Sequence, residues 1–115
     1  MNIYDTAHEL AHMIRDSEQY KEYDTVKREV YANESDKRML QDYKKLRFEA
    51  QAALFSGVEP PAELMEKLRR LGEILQMNPR ITQYFMAEYA MQTLAADMYK
   101  IIADACDLDA PAMQE

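Results

Sequence analysis

Ser56-Gly57-Val58-Glu59-Pro60-Pro61 is the clearest loop in this chain, and the residues on either side of it decide the fold. Upstream, Met39, Tyr43, Leu46, Ala50 and Leu54 recur at steps of three and four, the period of one helical face. Downstream, Leu64, Leu68, Leu71 and Leu75 form a leucine seam of the same kind. Two apolar stripes separated by a short Gly-Pro loop predict a long antiparallel αα-hairpin.

Working outward, the same grammar covers the rest of the chain. Asn33 is a cap for the upstream helix, with Glu34 and Asp36 complementing its dipole, and the helix runs to Phe55. Ser17 caps an earlier helix carrying Tyr20, Tyr23, Val26, Val30 and Tyr31 as far as Ala32. Asn2 caps the first, whose stripe is Ile3, Ala7, Leu10 and Ile14. Asn78-Pro79 pairs a cap with a first-turn proline and opens a final helix to about Cys106. Two glycines and four prolines are too few to punctuate many strands. The expectation is an all-α fold of four to five helices, with residues 1–107 as a single domain and 108–115 as a flexible tail.

The final helix is apolar over more than one face. Turning 100° per residue, Tyr84, Met91, Ala95, Met98 and Ile102 share one side. Phe85, Tyr89, Ala96, Tyr99 and Ala103 make a second flank, and Thr93, Asp97, Lys100 and Asp104 lie opposite the first. Phe48, Ala52 and Phe55 likewise form a minor stripe on their own helix. Surface this apolar, in a chain with few other elements, predicts a helical bundle completed by oligomerisation. The partner-binding residues are expected to be Tyr84, Phe85, Tyr89, Met91, Met98, Tyr99, Ile102, Phe48 and Phe55.

Charge and composition narrow the function. A net charge of −7 opposes nucleic acid and anionic lipid unless cations cluster. The densest runs, Lys44-Lys45-Arg47 and Lys67-Arg69-Arg70, are interrupted and read as solvated helix faces. No apolar run is long enough to span a bilayer, and the start is not a signal peptide, so a cytoplasmic protein is expected. Cys106 is the only cysteine, which excludes an internal disulfide. Neither a cofactor nor a catalytic residue is expected.

One motif argues otherwise. His8-Glu9-Leu10-Ala11-His12 fits the zinc-protease pattern, two histidines one turn apart with a glutamate to activate water. A small zinc-dependent hydrolase is therefore the alternative function. Against it, these are the only histidines, so a third ligand would have to be a carboxylate. The positions where the longer signature has a glycine and a third histidine hold Arg15 and Glu18. Leu10 belongs to the apolar stripe, and the histidines flank it. Glu88, beside the main apolar face of the final helix, reads as a carboxylate paired across an interface.

The order of features resembles the YlbF/YmcA-like family of small helical bacterial proteins. Asn2-Ile3-Tyr4-Asp5 with Ala7, Glu9 and Leu10, then Ser17, Tyr20-Lys21 and Tyr23, look like its opening. Ala32-Asn33, Met39-Leu40-Gln41-Asp42-Tyr43 and the Glu49–Gln51 pair look like its middle helix. Asn78-Pro79, Ile81, Tyr84, Leu94, Asp97 and Ile101-Ile102 look like its last. The resemblance runs from residue 2 to about 105 and is greatest to a YheA-like branch without an established role. It implies an intertwined homo-oligomer in the bacterial cytoplasm and further protein partners in a regulatory complex. Its best-studied members are adaptors in competence, sporulation, biofilm development and RNA processing with a ribonuclease. Some of those members hold an iron–sulfur cluster through cysteines; here only Cys106 is present, and that property does not carry over.

Overall fold

The computed structural model describes residues 2–108, and among them finds five helices and no strand. They are α1 (Ile3–Arg15), α2 (Glu18–Tyr31), α3 (Glu34–Phe55), α4 (Ala62–Gln76) and α5 (Pro79–Cys106). The all-α expectation holds, at five helices. Apart from Leu108, the expected tail lies outside the described residues.

The helix ends follow from local chemistry. Asp5 N–H donates to the Asn2 side chain at 2.9 Å, and Asp36 N–H to that of Asn33 at 3.0 Å, so each asparagine occupies an otherwise orphaned donor. Tyr20 N–H donates to Ser17 Oγ at 3.2 Å, and Arg80 N–H to Asn78 Oδ1 at 3.0 Å. Pro61 precedes α4 without a side-chain cap bond.

Two helices end in the same left-handed device. Gly57, at φ 77°, donates to the Leu54 carbonyl, and Val58 N–H to that of Ala53. Asp107 adopts φ 58°, donating to Asp104, while Leu108 N–H reaches Ala103. These are the paired bonds of a Schellman motif, which turns the chain out of the helix through one residue at positive φ.

The described residues form two compact units. In the unit spanning residues 24–85, α3 and α4 pack against each other as the expected αα-hairpin. Gly72 permits their approach: a Cβ there would stand 3.3 Å from Tyr43 Cε1. Val26 and Val30 from α2, Leu40 and Ala50 from α3, Leu75 from α4, and Ile81 and Tyr84 from α5 are buried.

The expected stripe of α3 needs correction. Leu40 is fully buried, whereas Met39 is half-buried and Leu54 is exposed. The core-facing row is Asp36, Leu40, Tyr43, Arg47 and Ala50. Two charged members on that row disguise it as a polar face.

The other unit comprises residues 2–23 and 86–108. Its buried side chains are the alanines Ala87 and Ala103, both on α5. In α1 no residue is buried. Ile3 is 83% exposed and Ala7 is exposed, while Leu10 and Ile14 are half-buried, so the stripe expected to enter a core is only partly covered in the single chain.

Candidate interaction surfaces

Tyr84 was expected on a partner-binding face, and its burial corrects that. It is 0% exposed, in the core of the 24–85 unit. The Lys44 ammonium donates to its hydroxyl and stands 4.7 Å from its ring centroid, so the phenol keeps a polar partner as its ring leaves water. Phe85 is half-buried beside it. Its ring meets Tyr84 at 5.7 Å and 67°, and Tyr43 at 5.7 Å and 65°, both edge-to-face.

Beyond Phe85, α5 turns apolar side chains to solvent. Tyr89 is 72% exposed; Tyr99 and Ile102 are about half exposed, and Met91 and Met98 are half-buried. Met86 and Ile101 are exposed as well, and neither is among the expected partner-binding residues. On α1, Ile3, Tyr4 and Met13 add to the same unit's exposed apolar surface. On α3, Phe48 and Phe55 are exposed, Phe55 at 87%. Sequence patterning located most of those on α5; it had no means to separate Tyr84 from them, because all sit on that one wide apolar helix.

The hairpin also carries a groove of about 460 Å³, lined by Leu46, Leu71 and Ile74 with Asp42, Lys45 and Glu49 from α3 and Lys67 and Arg70 from α4. Of these, Lys45, Lys67 and Arg70 had read as solvated faces, since helical spacing alone does not reveal a facing wall. Further along α4, Arg69 bridges Glu66 at 2.5 Å and Glu73 at 2.9 Å. Hydrogen bonding and charge attraction from Arg69 lower the Glu66 carboxyl below its ordinary value.

His8, Glu9 and His12 are all exposed on α1. No group of three or more His, Cys, Asp or Glu that could hold a metal exists among the described residues. The zinc-hydrolase alternative thus finds no third ligand there. Nor is any helix among them long and apolar enough to cross a membrane.

Comparison with known proteins places this arrangement among relatives. A family model described as "Control of competence regulator ComK, YlbF/YmcA" matches residues 3–107. A UPF0342 protein of Symbiobacterium thermophilum is 36% identical over 109 residues, covering 95% of this chain and 97% of its own. Among solved structures, yheA from Bacillus subtilis superposes with a TM-score of 0.68 at 24% identity, covering 93% of this chain and 97% of its own. Bacillus subtilis RicA, crystallised in complex with RicF, gives 0.61 at 21%, covering 91% and 93%.

Proposed function

The chain belongs to the YlbF/YmcA family, close to its YheA-like branch, and on that footing we propose that it is a non-enzymatic regulatory adaptor of the bacterial cytoplasm, acting as a homo-oligomer that binds other proteins. One observation carries the reading. Among the described residues, the unit formed by α1, the start of α2 and the distal part of α5 buries only two alanines while exposing Ile3, Tyr4, Met13, Met86, Tyr89, Tyr99, Ile101 and Ile102. A large apolar side chain gains about 1.5–3 kcal/mol on full burial, so this surface has a strong drive to be covered. A second copy supplies the same apolar residues in a self-complementary contact. The family description, with its control of a competence regulator, and the pairing of RicA with RicF support a role exercised through protein complexes.

Light scattering on the purified chain tests this. The expected particle has at least twice the 13.5 kDa of one chain. Tyr99→Glu combined with Ile102→Glu, placing charge on the exposed α5 surface, is expected to lower that mass or unfold the protein. A wild-type particle that stays at one chain's mass at micromolar concentration refutes the oligomer.

A further inference from the structure

We propose that the groove between α3 and α4 receives an amphipathic helix of another protein, one whose apolar stripe has basic side chains along one edge and acidic side chains along the other. The apolar part of the lining is Leu46, Leu71 and Ile74, and Ile74 is half exposed. The rims differ in sign. On α3, Asp42 and Glu49 bracket Lys45 in the helical register, two carboxylates to one ammonium. On α4, Lys67 and Arg70 are both cationic.

These charges are largely uncommitted. The side chains of Asp42, Lys45 and Glu49 have no ion pair or hydrogen bond among the described residues. Lys67 lies 3.7 Å from Glu63, and Arg70 lies 3.7 Å from Glu66, whose carboxylate Arg69 already holds at 2.5 Å. Contacts that long on exposed side chains leave both cations able to meet an incoming carboxylate. Apolar anchors set in a groove, with charged edges that match its rims, are the terms of helix-in-groove recognition. The opposite rims also select one of the two directions in which a helix can lie.

The chain's own uncovered helices do not fit. On α1, Asp5 and Glu9 lie across the helix from the Ile3, Leu10 and Ile14 stripe, not along its edges. On α5, Asp97, Lys100 and Asp104 lie opposite its main face. A second hairpin placed groove to groove would enclose a void, which forfeits contacts on both sides. A convex helix fills the space.

The inference rests on the adaptor reading, but it can fail while self-association stands. Its test uses the intact chain and three stapled helical peptides with one leucine stripe, bordered by Lys and Glu, by Lys on both edges, or by Glu on both. In fluorescence polarisation at low salt, the Lys/Glu peptide is expected to bind about tenfold tighter than either other peptide. Lys67→Glu with Arg70→Glu makes both rims acidic and is expected to move the preference to the Lys/Lys peptide, with helical circular dichroism unchanged. Equal or unmeasurable wild-type affinities overturn the proposal, as does an unchanged order in the variant. A changed particle mass for the variant assigns the groove to a second copy and overturns it too.

Discussion

Replacing Asp36 by Ala removes one carboxylate that joins the N-termini of two helices. Asp36 is only 7% exposed, on the first turn of α3, and accepts from Asn78 Nδ2 at 3.0 Å and Arg80 Nη1 at 3.4 Å at the start of α5. A hydrogen bond to a charged group contributes about 1.5–3 kcal/mol. The Arg80 contact is long and its side chain is about half exposed, so it adds at most about 0.5 kcal/mol. A carboxylate in a first helical turn adds about 0.3–1 kcal/mol through the dipole. Together these set the expected loss at about 2–4 kcal/mol. Asp36→Asn keeps an oxygen for Asn78 and loses only the charge, so about 1 kcal/mol is expected. Urea unfolding at matched protein concentration measures both, because self-association makes stability concentration-dependent. A double-mutant cycle with Arg80→Ala should return no more than the small ion-pair contribution. The reasoning fails if Asp36→Ala costs under about 0.5 kcal/mol, or if Asp36→Asn costs as much as Asp36→Ala.

Other positions yield independent tests. Leu75→Ala empties a fully buried site in α4 and is expected to cost about 2–5 kcal/mol in the same assay, against a smaller loss for the half-buried Leu64→Ala. Asp107→Gly relieves a non-glycine residue at φ 58° and should raise stability by up to about 1 kcal/mol, read as a higher Tm; Asp107→Val should lower it. Glu66, held below the ordinary value of 4.5 by Arg69, favours the folded state above that value and loses this contribution as pH falls through its lowered pKa. Arg69→Ala should bring its NMR titration back toward 4.5, and added salt should do so in part, because the pair is exposed.

The helices and their ends were legible because the forces that set them act within a few residues. Asn2, Ser17, Asn33 and Asn78 each bond a backbone N–H two or three positions ahead, a reach that sequence spacing specifies directly. Gly57 ends α3 by the same local logic. Asp107 does so for α5 without a glycine to announce it. The hairpin was legible from its two stripes, yet the row that meets the core was misread. Leu40 lies on a row with Asp36 and Arg47; Asn78 and Arg80 stand beside the first charge and the Tyr43 ring beside the second.

The sequence by itself determined that this chain is helical, where most of its helices begin, and which faces are apolar, since periodicity and capping are properties of neighbouring residues. Only the tertiary structure decided what covers each face. Tyr84 and Tyr89 sit on one wide apolar helix, yet Tyr84 is enclosed beside Lys44 and Phe85 while Tyr89 is open to solvent. The charged rims around Leu46 and Leu71 likewise became a groove only when α3 and α4 were brought together. Burial depends on residues distant in the chain, and helical spacing carries no record of them.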